Sequence, residues 1–337
     1  MDILPPVLEQ WFAARDWTPR VHQRAMLAAA RRGDHALLVA PTGAGKALAV
    51  DVRRNLLTPI EEMALPIRVE TRTGDTPSDR KARQRIKPPH ILLTTPESLS
   101  LLLSYPDAAL MFADLQTVIV DEVHAFATQK RGDLLSLSMA RLQRINPGLR
   151  RVALSATVAD VDAYRAWLAP DGDIDTVATV LGEAGAEPNV TILIPQGRVP
   201  WSGHSGKYAA SQVMAEIAAH QTTLVFCNTR GLAELIFQEL WSANDANLPI
   251  AIHHGSLSIE ARRKVESAMA DGKLRALVAT ASLDLGVDWG NVDCVIQMGA
   301  PKGSSRLLQR IGRANHRLDQ ASEAILIPGN RFEYLEA

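Results

Sequence analysis

The sequence predicts an α/β protein with two doubly wound, parallel-sheet domains. Short apolar runs rich in β-branched residues alternate with helical patterns, and these runs are apolar on both faces, which is typical of parallel strands covered on each side. The alternation occurs twice along the 337 residues, on either side of a segment near residue 172 that is rich in Gly, Asp, Ala and Pro. We therefore expect one domain at residues 1–171, a second at 172–337 and a cleft between them.

The predicted strands follow one another in the same way in each half. In the first half the apolar runs are HALLVA, PIRVETR, HILLTT, TVIVDE and RRVALSA. In the second half they are TLVFCN, IAIHH, ALVATA, CVIQMG and AILIPG. Helical patterns such as YAASQVMAEIAAH lie between them, as a doubly wound fold requires.

Composition is that of an ordinary globular chain, with 47% hydrophobic and 22% charged residues, and it excludes disorder, collagen and disulfide scaffolds. The net charge of -1 provides no global field, so a polyanion would have to bind at a local patch. Cys227 and Cys294 lie in apolar runs without a further ligand at metal spacing, which favours buried thiols. Without a signal-peptide pattern or an apolar run of about 20 residues, we expect a cytoplasmic protein with no membrane partner.

The stretch APTGAGK, residues 40–46, follows the first strand and predicts a loop that binds nucleotide phosphates. Backbone N–H groups of such a turn point at phosphate oxygens, while Lys46 reaches the β and γ phosphates. The next residue is Ala47, where these loops place a Ser or Thr whose hydroxyl holds magnesium. Taken alone, this stretch fits an ordinary strand-to-helix turn with a surface lysine as well as it fits a phosphate loop.

A second strand, TVIVDE, ends in two adjacent carboxylates, Asp121 and Glu122. In the same domain as a phosphate loop, this pair predicts one carboxylate that holds Mg²⁺ through water and another that orients or deprotonates an attacking water. The loop and the pair together predict an ATP- and Mg²⁺-dependent enzyme.

Eight stretches in order resemble the ordered motifs of superfamily 2 helicases, which are ATP-driven nucleic-acid motors with two RecA-like domains. They are WTPRVHQ, APTGAGK, TTPES, DEVH, SAT, LVFCNTR, VATASLDLGVDW and QRIGRANHR. Within that group, RTGDT, HHGSLS, SLDLGVDWGNVDCVIQMGAP and PGNRFEYLEA resemble the Lhr (large helicase-related) family, in particular its DNA-ligase-associated DEXH branch. The resemblance covers nearly the whole chain.

The resemblance implies which residues bind and hydrolyse ATP. Asp121 would hold Mg²⁺ through water and Glu122 would activate the attacking water, while Ser155 and Thr157 would link the nucleotide state to the nucleic-acid groove. Because His316 stands where the last motif usually ends in Arg, Arg313 is the expected arginine finger. The implied nucleotide-contacting or catalytic residues are Gln23, which is similar to the glutamine that reads adenine, Thr42, Gly43, Ala44, Gly45, Lys46, Gly286, Asp288, Gln309, Arg310, Arg313 and Arg317.

The resemblance also implies a nucleic-acid surface made of loops at the carboxyl ends of strands. Small hydroxyl and glycine loops let backbone N–H groups meet phosphates, so strands are bound without reading sequence. For Trp201, base stacking and packing against its own domain both remain open. The implied contact residues are Thr73, Gly74, Asp75, Thr94, Thr95, Pro96 and Glu97 in the first domain and Asn228, Thr229, Arg230, His254, Gly255 and Thr280 in the second.

The missing hydroxyl at position 47 is explained by the same resemblance. Residues 46–75 resemble the stretch that begins with the next helicase motif, usually Pro-Leu-Lys followed by a helix. Lys46 thus ends one motif and begins another, so we expect that one helix-plus-strand unit of about 30 residues has been lost after it. Phosphate binding would survive through the loop amides, whereas hydrolysis should be impaired.

We therefore expect an ATP-dependent DNA helicase or translocase of the Lhr type that acts on single-stranded or partly duplex DNA in DNA repair. Its expected cofactors are ATP and Mg²⁺. Its expected partners are single-stranded DNA or a DNA-RNA hybrid, with an ATP-dependent DNA ligase and a repair nuclease. Two alternatives stay open: a nucleic-acid-binding module that no longer hydrolyses ATP, and a helicase of RNA or RNA-DNA hybrids.

Overall fold

The computed structural model describes residues 4–40, 56–125, 127, 129–156, 158, 160–183, 186–194, 198–203, 206–280, 283, 292–300, 303–314 and 321–336. These residues form two compact units that divide at residues 184 and 185. None of the helices in the described part of the chain has the length and apolar composition needed to cross a bilayer.

The strands of the first unit form two parallel sheets. Within the described residues, β1, β4, β5 and β6 make one sheet in the order β4-β5-β1-β6, and β2 and β3 pair separately. The first five strands fall within the predicted runs. The bounds are β1 (His35–Val39), β2 (Val69–Arg72), β3 (Ile91–Thr94), β4 (Thr117–Val120), β5 (Arg150–Ser155) and β6 (Val177–Leu181).

The sixth strand belongs to the first unit although it lies beyond residue 171, where the sequence predicted that the first domain ends. β6 lies in the segment that the sequence indicated as a linker, yet it pairs with β1 along its whole length, from His35 opposite Val177 to Val39 opposite Leu181. The compact units divide at residues 184 and 185, so β6 belongs to the first unit, and the expected domain bounds of 1–171 and 172–337 stay a prediction.

Local chemistry accounts for the start of one helix of the first unit and for the end of another. Thr95 accepts a hydrogen bond from the Ser98 backbone N–H at the start of α5, and Gly33 ends α2 with a φ of 81°. A core of apolar side chains from α5 and α7 covers β1. The bounds are α1 (Pro6–Ala13), α2 (Val21–Arg32), α3 (Thr58–Glu62), α4 (Ser78–Ile86), α5 (Pro96–Ser104), α6 (Ala108–Met111), α7 (Lys130–Ile145) and α8 (Val161–Leu168).

The second unit has a six-stranded parallel sheet, in the order β7-β12-β11-β8-β10-β9 among the described residues. Its central strands are buried throughout, as their continuous apolar runs predict. The strands are β7 (Asn189–Ile192), β8 (Thr223–Cys227), β9 (Ile250–His253), β10 (Ala276–Ala279), β11 (Cys294–Met298) and β12 (Glu323–Ile327). The helices are α9 (Ala210–Ala219), α10 (Arg230–Ser242), α11 (Ile259–Ala270), α12 (Ser304–Ile311) and α13 (Glu333–Glu336).

Both cysteines belong to the core of the second unit. Cys227 ends β8 and Cys294 begins β11, and neither side chain is accessible to solvent. Burial raises the pKa of each thiol to about 12. Both side chains therefore behave as small apolar groups at neutral pH.

Candidate nucleotide site and nucleic-acid surface

Several expected nucleotide contacts lie outside the described residues. The phosphate loop is among them, because residues 41–55 are not described. The contacts concerned are Thr42, Gly43, Ala44, Gly45, Lys46, Thr157, Gly286, Asp288 and Arg317. Their roles stay predictions.

The carboxylate pair lies at the carboxyl edge of the main sheet of the first unit. Asp121 and Glu122 follow β4 directly, and β5 ends with Ser155 on the neighbouring strand. Glu122 has a φ of 53°, a left-handed conformation that is uncommon for a residue with a side chain. Because such strain persists only where the surroundings enforce it, it is typical of functional sites. The Glu122 backbone N–H donates to Asp121 Oδ1 at 2.9 Å and thereby orients that carboxylate.

His124 connects the carboxylate pair to the end of β5. Its Nδ1 accepts a hydrogen bond from the Ala156 backbone N–H at 3.1 Å and lies 3.2 Å from Ser155 Oγ. Because Nδ1 accepts from a backbone N–H, the ring proton of the neutral imidazole is on Nε2. That atom lies 3.2 Å from Glu122 Oε2. His124 thus contacts both Glu122 and the SAT motif, by an ion-pair distance on one side and by hydrogen bonds on the other; the sequence had named Ser155 but not His124.

Gln23 has a local role in the structure. It lies in the first turn of α2, and its Oε1 accepts a hydrogen bond from the Arg20 backbone N–H at 3.0 Å. The residue also lines a mainly apolar cavity of about 280 Å³, which Phe12 of α1 and Leu38 of β1 border. The geometry explains how α2 begins, and the contact with adenine stays a prediction.

Arg310 lies in the interior of the second unit, although the sequence predicted a nucleotide contact. Its guanidinium donates to Gln297 Oε1 at 2.7 Å and lies 4.8 Å from the centre of the Phe226 ring. A buried guanidinium held in this way supports the fold of the unit. These contacts hold α12 against β8 and β11, and the expected nucleotide contact of Arg310 stays a prediction.

Gln309 and Arg313 lie on either side of Arg310, at the end of α12 and in the turn that follows it. The Arg313 side chain is buried. The Nε2 of Gln309 is buried and has no hydrogen-bond partner among the described residues. A buried donor of this kind calls for a partner that a bound ligand can supply. This favours the expected catalytic role of Gln309, and the finger role of Arg313 stays a prediction.

The structure brings the expected nucleic-acid contacts of the first unit to one edge, the carboxyl end of the two-stranded sheet. Thr73 follows β2 and donates its backbone N–H to Thr76 Oγ1 at 2.9 Å. Thr94 ends β3, and its hydroxyl donates to the Arg72 carbonyl at 3.0 Å. The residues gathered at this edge are Thr73, Gly74, Asp75, Thr94, Thr95, Pro96 and Glu97.

Glu97 is, with Asp75, an acidic residue on that edge, and an ion pair balances its charge. Its Oε1 lies 2.6 Å from Arg131 Nε of α7. Hydrogen bonding to Arg131 lowers the pKa of Glu97 to about 2. The carboxylate is therefore ionised throughout the neutral range, and Arg131 offsets the repulsion it would exert on a phosphate.

The contacts expected in the second unit also lie at one edge, because β8, β10 and β9 are neighbours in the sheet. Thr280 follows β10 and donates its backbone N–H to the His253 carbonyl at 3.4 Å. Thr229 caps α10 by accepting from the Leu232 backbone N–H at 3.2 Å. The residues gathered here are Asn228, Thr229, Arg230, His254, Gly255 and Thr280.

Glu234 is a member of this edge that the sequence interpretation missed. Its Oε1 lies 2.9 Å from Arg230 Nε and 3.4 Å from His254 Nε2. The spacing of Arg230 and Glu234 by four residues on a helix could have predicted the first contact. The second joins α10 to the loop after β9, and only the sheet order reveals it. Glu234 therefore holds two expected nucleic-acid contacts in one place.

Comparisons with known proteins agree with this geometry. The DEAD/DEAH box helicase family matches residues 47–164, and the Helicase conserved C-terminal domain family matches residues 207–317. The ATP-dependent helicase Lhr-Core of Methanocaldococcus jannaschii is 34% identical over 379 residues, which cover 99% of this chain and 45% of the relative. The Lhr helicase/uracil glycosylase of Escherichia coli is 32% identical over 431 residues, covering 100% of this chain and 28% of the relative.

A solved structure gives the same result. The Mycobacterium smegmatis helicase Lhr bound to ssDNA and AMP-PNP matches with a TM-score of 0.82 and 33% identity, over 99% of this chain and 49% of that protein. The chain belongs to the Lhr helicases. The expected fold, two parallel-sheet α/β domains of the RecA-like type, is confirmed for this chain. The chain spans less than half the length of these relatives.

The comparisons also bear on the stretch after Lys46. Both sequence alignments run over more positions than the 337 residues of the chain, so each relative contains residues without a counterpart here. The DEAD/DEAH box match begins at residue 47, directly after the phosphate loop, and leaves residues 40–46 out. The expected loss of a helix-plus-strand unit after Lys46 stays a prediction.

Proposed function

We propose that this Lhr chain is an ATP- and Mg²⁺-dependent helicase or translocase on single-stranded or partly duplex DNA. The observation that carries the proposal is the position of His124, which lies 3.2 Å from Glu122 Oε2 and is hydrogen-bonded to Ser155 and Ala156. This connects Glu122, which is expected to activate the attacking water, to the SAT motif, which is expected to link the nucleotide state to the nucleic-acid groove. The relative from M. smegmatis, which was solved with ssDNA and AMP-PNP, supports the choice of ligands.

The residues of the first unit suit ATP hydrolysis. Asp121 offers a carboxylate oxygen, which is the ligand type that Mg²⁺ prefers, oriented by the Glu122 backbone N–H. Bound Mg²⁺ would neutralise charge that develops on the phosphates. Glu122 Oε2 lies 3.2 Å from Nε2 of His124, a contact that would hold its carboxylate in place to orient or deprotonate a water. Arg313 would stabilise charge on the γ-phosphate from the second domain.

The finer assignments belong to the same proposal. We infer a role in DNA repair in the cytoplasm, with an ATP-dependent DNA ligase and a repair nuclease as partners, from the resemblance of motifs such as RTGDT and HHGSLS to the ligase-associated branch. A helicase of RNA or RNA-DNA hybrids is the alternative substrate choice, because the expected contacts are mainly to the backbone. Turnover measured with DNA, RNA and hybrid strands of one length separates these substrates.

A second candidate function is a nucleic-acid-binding module without ATP hydrolysis. Ala47 favours it, because the hydroxyl that would hold magnesium is missing beside Lys46. The deciding experiment measures ATP turnover with and without single-stranded DNA, beside Glu122→Gln. Stimulated turnover that Glu122→Gln abolishes supports the motor. DNA binding without turnover supports the binding module.

A further inference from the structure

Two large aromatic side chains of the second unit remain in solvent although their backbone is held firmly. Trp201 is 57% exposed and Phe332 is 60% exposed, and their ring centres are 6.4 Å apart. The guanidinium of Arg331 lies 4.3 Å from the centre of the Trp201 ring. An aromatic residue that packs against its own domain would bury its ring, and neither of these does.

The backbone around the two rings is tied together. Arg331 donates its backbone N–H to the Pro200 carbonyl at 3.1 Å and its Nε to the Val199 carbonyl at 3.2 Å. Asn330 Nδ2 donates to the Gly203 carbonyl at 2.7 Å, and its Oδ1 accepts from the Phe332 backbone N–H at 2.9 Å. The rings are therefore presented to solvent in a preorganised geometry, which lowers the entropic cost of binding a ligand.

The pair lies at the same edge of the sheet as the expected nucleic-acid contacts. The segments that carry the rings follow β7 and β12, which are parallel neighbours. Hydrogen bonds continue from there to Asn228: Glu333 Oε2 accepts from the Ala300 backbone N–H at 2.9 Å, and the Ala300 carbonyl accepts from Asn228 Nδ2 at 2.8 Å. Since β12 and β8 are separated by one strand, the carboxyl ends of these two strands are about 10 Å apart across the sheet.

We propose that Trp201, Phe332 and Arg331 form a platform on which bases of a single-stranded nucleic acid stack. Aromatic rings beside a basic groove bind single strands because every base has a π-face, and an Arg on the ring adds attraction for phosphate. Arg331 supplies positive charge beside the Trp201 ring, and the exposed Arg198 precedes Trp201 in the same segment of the chain. The inference rests on the proposed nucleic-acid binding and extends it to a site that the family motifs did not indicate.

The second unit offers a matched control. Trp241 is 60% exposed and pairs with Phe237 at 6.0 Å between ring centres. It lies in the last turn of α10, roughly 16 Å along the helix from Arg230 and thus away from the carboxyl edge of the sheet. Removing this ring changes exposed aromatic area by a similar amount without touching the platform.

The test compares oligo-dT with an abasic oligodeoxyribose strand of the same length. Fluorescence anisotropy gives Kd for each strand with the unaltered chain, Trp201→Ala, Phe332→Ala and Trp241→Ala. We expect Trp201→Ala and Phe332→Ala to raise Kd for oligo-dT at least about fivefold and to leave Kd for the abasic strand unchanged. Trp241→Ala should change neither value. Trp201→Phe should restore most of the affinity, and it guards against a variant that fails to fold.

Two further results would overturn the platform in different ways. If the chain binds oligo-dT and Trp201→Ala binds it as tightly as Trp241→Ala does, the platform is wrong while nucleic-acid binding stands. In that case the exposed rings belong to a contact with another protein surface. If the unaltered chain binds neither strand, both the platform and the proposed function are wrong.

Discussion

Nε2 of His124 lies 3.2 Å from Oε2 of Glu122, and the opposite ring nitrogen accepts a hydrogen bond from the Ala156 backbone N–H. The ring therefore has a defined tautomer and a defined orientation, both set by the end of β5. A movement of the SAT motif would be transmitted to the carboxylate that is proposed to act on water. This relationship makes His124 a positioning residue whose removal is measurable.

Replacing His124 by Ala should lower kcat for ATP far more than it changes KM. The Glu122 carboxylate would lose the donor that orients it, and misplacement of a reacting group by about 1 Å costs up to about 100-fold in rate. Steady-state ATP turnover in saturating single-stranded DNA measures the effect, with His124→Asn as a partial replacement of the donor. An increase in KM at constant kcat would contradict this positioning role.

Replacing Ser155 by Ala should reduce the stimulation of ATP turnover by DNA and leave basal turnover nearly unchanged. Ser155 Oγ lies 3.2 Å from His124 Nδ1, whereas the Ala156 backbone N–H continues to hold the ring in the variant. The ratio of turnover with DNA to turnover without it is the quantity to compare. Equal ratios for the variant and the unaltered chain would refute a coupling role for this hydroxyl.

Replacing Ala47 by Thr should increase ATP turnover, because it supplies the hydroxyl that phosphate loops place after their Lys. Ala47→Val is the matched control, since Val has the shape of Thr without the hydroxyl. Magnesium titrations of turnover for both variants check the prediction. If Ala47→Thr alone restores full ATP turnover, the missing helix and strand are dispensable for hydrolysis. If Ala47→Thr and Ala47→Val have equal turnover, the missing magnesium ligand is not what limits ATP hydrolysis by the chain.

Replacing Glu234 by Gln should strengthen the binding of single-stranded DNA several-fold at low salt. Arg230 and His254 would lose a shared carboxylate, and the change removes a negative charge from a surface expected to meet phosphates. Kd measured over a salt series tests this, with Glu260→Gln on the exposed start of α11 as a control for net charge. The same gain in the control would mean that charge alone, rather than this cluster, is responsible.

The ion pair of Glu97 and Arg131 should make a small contribution to stability that depends on pH. The pKa of Glu97 falls from 4.5 to about 2 on folding, so the contribution is present above pH 4.5 and is lost as the pH falls through about 2. Both side chains are about half exposed, so we expect less than about 1 kcal/mol. A double-mutant cycle with Glu97→Gln and Arg131→Ala, measured by urea unfolding at pH 7 and pH 3, gives the coupling free energy. A coupling free energy at pH 3 that equals or exceeds the value at pH 7 would contradict an ion pair that depends on the ionised Glu97 carboxylate.

The sequence by itself determined the strand-rich cores and the order of the motifs. Runs such as HALLVA and TLVFCN are apolar on both faces, and burial against helices on each side is the arrangement that satisfies them. Asp121, Glu122 and Ser155 were also predictable, because each directly follows or ends such a run. These features depend on neighbours within a few residues, and a single sequence contains that information.

The tertiary structure decided what depends on partners far away in the chain. The composition around VATVL predicts a linker, whereas the pairing of this segment with β1 shows that it is a strand of the first unit. Gln297 and Phe226 lie around the guanidinium of Arg310, and the sequence did not predict either contact. His124 and Glu234 acquire roles only when neighbouring strands bring them to a second element. Pairing across a sheet and burial of a charge depend on residues far apart in the chain, so local sequence periodicity does not predict them.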